Sequence, residues 1–124
     1  MPAHPQKSRI PIVSRDNIPI EIKETRLHAK NILRDGLSVL PNGKSLTPFK
    51  NRRGADQLDG PPLPKPSEGC IYLEVDVGAA QADDPKGTRG RRRLVLEFHE
   101  KSRTVQSEYY TPDHYRKFSF VRIS

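Results

Sequence analysis

Cys70-Ile71-Tyr72-Leu73-Glu74-Val75-Asp76-Val77 decides the fold class. Ile71, Leu73, Val75 and Val77 fall on one side of an extended chain and Tyr72, Glu74 and Asp76 on the other, the period of two that a strand with one buried face produces. The same alternation returns in Arg93-Leu94-Val95-Leu96-Glu97-Phe98, with Leu94, Leu96 and Phe98 on the buried side and Arg93, Val95 and Glu97 opposite. Residues 104–110 and 117–123, the latter with Phe118, Phe120 and Val121, read as two more strands. Short turns such as Asp83-Asp84-Pro85-Lys86-Gly87 and Glu100-Lys101-Ser102-Arg103 join them, so the simplest arrangement is an antiparallel meander.

Upstream, the period changes. Ile20, Lys23/Glu24, Leu27, Asn31/Ile32 and Leu33 lie near 3.6-residue spacing, and Gly36 is placed to stop a helix over 20–35. Leu37 to Leu40 can form a short apolar anchor before the turn signal Pro41-Asn42-Gly43. The expected architecture is therefore α+β, an N-terminal helix packed on one face of a twisted antiparallel sheet. Pro61, Pro62, Pro64 and Pro66 cannot support a hydrogen-bonded ladder, so 60–69 reads as a semi-rigid loop between the two parts of the chain. Residues 1–15 show no sustained period and read as a flexible arm, leaving 16–124 as a single domain.

With 124 residues, of which 33% are hydrophobic, the chain holds one small core and not two domains. No apolar run is long enough to span a membrane, and no secretory signal pattern opens the chain, so the expectation is a protein without membrane attachment. One cysteine permits no internal disulfide, and without a Cys-x-x-Cys motif the four histidines have no metal-ligand spacing, so neither metal nor cofactor is expected. Cys70 reads as a small buried residue rather than a nucleophile. The net charge of +7 is that of a protein that meets polyanions: nucleic acid, an anionic surface or an acidic protein. Dinucleotide, P-loop, zinc-protease and serine-hydrolase motifs are absent from the sequence.

If the strands carrying Glu74 and Arg93 are neighbours, both side chains stand on the sheet face that the helix leaves free. The plain reading of that pair is a surface ion pair worth at most about 1 kcal/mol. His114 adds to it, lying in a loop among Tyr109, Tyr110 and Tyr115. The run Arg89-Gly90-Arg91-Arg92-Arg93 can be a solvated turn or a nucleic-acid arm, but Gly90 lets its arginines point to different places. A carboxylate, a histidine and arginines suffice to cleave RNA without metal, because the ribose 2′-OH is a nucleophile already inside the substrate. The protein then supplies a base, an acid and positive donors around the transition state.

Three blocks of this sequence resemble the small microbial guanyl-specific ribonucleases, barnase and its streptomycete relatives. They are Phe49-Lys50-Asn51-Arg52; Tyr72-Leu73-Glu74-Val75 with Thr88-Arg89-Gly90-Arg91-Arg92-Arg93; and Tyr109-Tyr110-Thr111-Pro112-Asp113-His114-Tyr115-Arg116-Lys117-Phe118-Ser119. The last is similar to the family signature Tyr-Tyr-Thr-x-Asp-His-Tyr-x-x-Phe, and the likeness runs over about 37–124. The resemblance implies that Glu74 is the general base, His114 the general acid, and Arg89 and Arg93 the donors to the phosphate. It also implies that Phe49, Lys50, Asn51, Arg52, Tyr72 and Tyr115 meet the substrate, the 49–52 loop holding guanine chiefly through backbone groups.

One position departs from the family: Arg53 stands where a glutamate grips the guanine edge, with Asp56 three residues on as the nearest carboxylate. The implied activity is an endoribonuclease acting on single-stranded RNA through a 2′,3′-cyclic phosphate, guanyl-preferring or of relaxed specificity. The implied setting is a monomeric, secreted or exported toxin domain held in check by an acidic, barstar-like inhibitor or immunity protein, with the cytoplasm as the other location. The alternative is a non-catalytic basic RNA-binding or interaction module on the same scaffold. Ordinary pKa values near 4.3 for glutamate and 6.5 for histidine imply a bell-shaped pH dependence for the enzyme.

Overall fold

The computed structural model describes residues 10–41, 43–51, 63–77, 92–111 and 120–124. Helix α1 (Ile20–Arg34) packs on a six-stranded sheet formed by β1 (Ile12–Val13), β2 (Thr47–Pro48), β3 (Cys70–Asp76), β4 (Arg93–His99), β5 (Thr104–Thr111) and β6 (Val121–Ile123). The strand order is β1-β6-β5-β4-β3-β2. All pairings are antiparallel except β1 with β6. The α+β architecture and the β3 to β6 meander agree with the sequence reading. Thr104–Thr111 fills the third predicted strand; of 117–123, the described part is Phe120 onward.

The helix ends where Gly36 takes φ +79°, a conformation in which a side chain would be strained. Leu37 N–H donates to Ile32 O and Gly36 N–H to Leu33 O, the paired bonds of a Schellman stop. Its buried face is not the expected one: Ile22, Thr25, Arg26, Ala29 and Leu33 are buried, whereas Ile20 and Leu27 are exposed. The reason is Arg26, which occupies a core-facing position because Glu108 of β5 meets it there. Arg26 Nε and Nη2 donate to Glu108 Oε1 and Oε2 at 2.6 and 2.9 Å. Lys30 Nζ lies 3.7 Å from Oε2. The bond to Glu108 holds the Arg26 guanidinium above its ordinary pKa against the opposing effect of burial.

Beneath the helix the core takes Leu73, Val75, Val77, Leu94, Leu96 and Ile123, with Ile71 and Phe98 partly buried against it. Leu40 joins this core, while Leu37 and Val39 stay exposed. The expected turn is present as Gly43 N–H donating to Leu40 O.

Residues 10–15, assigned on sequence to the flexible arm, belong to the sheet edge. Ile12 and Val13 are in register with Arg122 and Ile123, and Arg15 N–H donates to Ser124 O at 3.1 Å. Two residues are too short to show a period, so the strand had no signature.

Candidate functional site

The face of the sheet away from α1 is set by register. Tyr72, Glu74 and Asp76 of β3 stand opposite Glu97, Val95 and Arg93 of β4, and these opposite Ser107, Tyr109 and Thr111 of β5. Opposed residues in an antiparallel pair project to the same side, so the Glu74 and Arg93 placement expected from sequence holds. They are diagonal neighbours, at the separation of roughly 7–8 Å that such positions have.

This face has two ends. One is closed by a second apolar cluster of Ile10, Leu63, Tyr72, Val95, Tyr109 and Phe120, against which Phe49 packs. The rings meet edge to face, Tyr72 with Tyr109 at 6.1 Å and Phe49 with Phe120 at 5.9 Å between centroids. The proline-rich segment over 63–67 is the lid of the cluster, pinned at three points. Asn51 Nδ2 donates to Leu63 O and Leu63 N–H to Asn51 Oδ1, both at 2.9 Å. Tyr72 Oη donates to Pro64 O at 2.7 Å, and Ser67 N–H to the buried carboxylate of Glu97 at 2.8 Å. Gly69 follows with φ +80°; a Cβ there would stand 2.9 Å from His99 Nε2. Burial pushes the Tyr72 phenol well above its ordinary pKa, with the charge of Glu97 adding to the effect, and pushes Tyr109 the same way. Cys70 also rises, through burial first and Glu97 second, the opposite of an activated thiol.

At the other end stands charge. Arg93 is 2% exposed, its Nε 3.2 Å from Asp76 Oδ1, and Nη1 donates to Arg92 O. One oxygen of the Glu74 carboxylate is buried. Arg92, the neighbour of Arg93, turns to the opposite side and pairs with Glu21 of α1. Adjacent arginines of the basic run therefore serve different faces, one tying the helix down and one fixed beside a carboxylate on the face away from the helix.

Of the residues singled out on sequence, the structure thus brings Glu74 and Arg93 together. Phe49, Lys50 and Asn51 continue from β2, with Phe49 N–H donating to Tyr72 O, and Lys50 is exposed. They border a groove of about 440 Å³ whose other walls include Pro66, Cys70 and Tyr72. The Asn51 amide is spent on Leu63 and the Tyr72 hydroxyl on Pro64, so both build the wall rather than offer free polar groups to it. Arg52, Arg89, His114 and Tyr115 lie outside the described residues, as do Arg53 and Asp56. Asp76 was missed as a site residue, although its signal was legible: two positions beyond Glu74, it stands on the same face.

No protein-family model matches the chain, and no curated protein matches it. Among solved structures, ribonuclease Sa2 in complexes with mononucleotides is similar to it, with TM-score 0.54 and 23% identity over 93% of this chain and 94% of that one. Ribonuclease Sa2 with guanosine-2′-cyclophosphate is 26% identical over 93% of this chain and 96% of that one, at TM-score 0.47. The first likeness shows the fold: one helix on a mostly antiparallel six-stranded sheet, the architecture of a microbial ribonuclease.

Proposed function

We propose that this chain is an endoribonuclease that cleaves single-stranded RNA by attack of the ribose 2′-oxygen on the adjacent phosphorus. Glu74 takes the 2′-OH proton as the new P–O bond forms. His114 protonates the departing 5′-oxygen, leaving a 2′,3′-cyclic phosphate; water then opens that ring with the two roles exchanged. Arg93 and Arg89 neutralise the equatorial oxygens of the phosphorane, and Tyr115 contacts the phosphate. The base lies in the groove beside residues 49–51, where backbone groups read its edge.

The observation that carries this reading is Glu74 and Arg93 as diagonal neighbours on the face left free by the helix, with Arg93 held at its place by Asp76. A fixed guanidinium whose position does not change during reaction is what stabilises developing charge without reorganisation. A carboxylate beside phosphates only repels them in a mere binder, so Glu74 favours catalysis over the binding-module alternative. The +7 charge supports an acidic protein as inhibitor, and a toxin domain held in check by such a protein is the setting that goes with it.

The test is incubation of the purified protein with a labelled RNA and its DNA counterpart in EDTA, beside His114→Ala. The expected result is cleavage of RNA alone, ending in cyclic phosphate and lost in the variant. The cut positions read whether guanine is still preferred with Arg53 in the glutamate position. RNA bound but intact would overturn the enzyme in favour of a binding module.

A further inference from the structure

Arg93, whose guanidinium meets the phosphorane in the proposed reaction, is held from two sides. Its Nε lies 3.2 Å from Asp76 Oδ1, and its Nη1 donates to the main-chain carbonyl of Arg92 at 3.0 Å. That carbonyl has a second donor, Val77 N–H at 3.2 Å, one residue past the end of β3. The Arg92 peptide is therefore a node. It extends the β3 to β4 pairing by one bond, and because hydrogen bonds are directional, a tilt of its plane disturbs the Arg93 donor that rests on it.

The side chain of Arg92 is anchored elsewhere. Arg92 stands one residue before β4, and its guanidinium crosses to the helix layer and pairs with Glu21 in the first turn of α1. Its side chain is 19% exposed, so the stem is packed rather than loose. Tyr110 of β5 feels both charges: burial raises its phenol pKa, with Arg92 opposing and Glu21 adding. Among the described residues, α1 meets charged side chains of the sheet layer at two places. Arg26 and Lys30 meet Glu108 on β5, and Glu21 meets Arg92, one carbonyl from Arg93. From this we infer that Glu21 is a positioning residue for RNA cleavage: through Arg92 and its carbonyl, the first turn of α1 fixes the Arg93 donors on the opposite face of the sheet. The inference rests on the ribonuclease reading, which gives Arg93 its task. Glu21 lies outside the stretch 37–124 over which the sequence resembles the ribonucleases, so its role comes from the geometry and not from the resemblance.

The experiment measures kcat and KM on a single-stranded RNA for wild type, Glu21→Gln, Arg92→Gln, the double variant, Arg92→Lys and Lys30→Gln. Removing a fixed transition-state donor outright costs about 10²–10³ in kcat, so loosening one gives a smaller fall, about tenfold in Glu21→Gln with KM unchanged. Overall charge predicts the opposite, since the loss of a carboxylate strengthens the attraction for RNA. Arg92→Gln loses the same factor, and the double variant loses no more than either single one, as two ends of one link require. Arg92→Lys, which still pairs with Glu21, keeps most of the rate. Lys30→Gln, at the other helix contact, keeps all of it. An unchanged kcat in Glu21→Gln, losses that multiply in the double variant, or an equal fall in Lys30→Gln would overturn the inference.

A second readout does not depend on cleavage. In 15N-labelled protein the Nε–H of Arg93 exchanges slowly with water while both of its tethers hold, and faster in Glu21→Gln. Faster exchange in the variant, with a wild type that leaves RNA intact, would sink the ribonuclease reading and keep the link. A wild type that cuts RNA, with neither exchange nor kcat altered in the variant, would do the reverse. Thermal midpoints that leave every variant folded at the assay temperature exclude unfolding as the cause of the fall.

Discussion

The two faces of the β3 to β5 ladder are built from alternate residues of the same strands, yet they bury polar groups for different ends. On the helix side, apolar residues run the length of β3 and β4, and the Arg26 to Glu108 pair joins α1 to β5 within that core. On the other side, Arg93 and Glu97 are as inaccessible as the leucines, because one sits beside Asp76 and the other under the 63–67 lid. A buried charge on the first face ties elements together. On the second it fixes a donor beside a carboxylate, on the face that the helix does not cover.

If this division is right, substitutions on the two faces separate stability from chemistry. Glu74→Gln carries the largest effect, a loss of roughly 10²–10⁴ in the single-turnover rate of RNA cleavage. Arg26→Ala comes next and acts on stability alone. Stranding the Glu108 carboxylate with only Lys30 near it lowers the unfolding free energy by about 3 kcal/mol in urea titrations, and the rate per folded molecule is unchanged. The double replacement Arg26→Met with Glu108→Leu recovers most of that loss; failure to recover would mean that the pair specifies the helix position rather than merely filling it.

Smaller effects probe the lid. Asn51→Ala removes both bonds to Leu63 and places alanine at φ +56°, which asparagine tolerates better, for about 2 kcal/mol. Faster amide exchange at Leu63 would accompany it. Tyr72→Phe costs about 1 kcal/mol through the bond to Pro64. Because burial raises the pKa of Tyr72 and Tyr109 in the folded protein, their protonated forms are favoured there. Their contribution is complete below the ordinary tyrosine pKa of about 10 and is lost as pH climbs above it. Urea midpoints from pH 8 to 11 fall in wild type, and less steeply in Tyr72→Phe.

Strands β3 and β4 and the helix stop at Gly36 were legible because each depends on nearest neighbours: alternation, and a residue free to adopt positive φ. The buried face of α1 was not, since Arg26 is core-facing only by virtue of Glu108, 82 residues away. Nor could alternation reveal that the polar side of β4 is closed over, because the lid comes from a segment whose prolines announce only that it is no strand. For the candidate site, pattern placed Glu74 with Arg93. It could not foresee that Tyr72 and Asn51 would have their polar groups occupied by the backbone of 63–64.

The parallel pairing of β1 with β6 sets an order of assembly. Residues 12–13 find their partners only after 122–123 exist, so a ribosome must deliver the chain as far as residue 123 before that edge of the sheet can close. The closure also brings together segments far apart along the chain, Ile12 with Arg122 and Val13 with Ile123, the kind of contact that slows folding most. Ile10 enters the second cluster from the same edge. Removing residues 121–123 would therefore release 12–13 with them, and a chain caught partway through synthesis holds 12–13 without a partner.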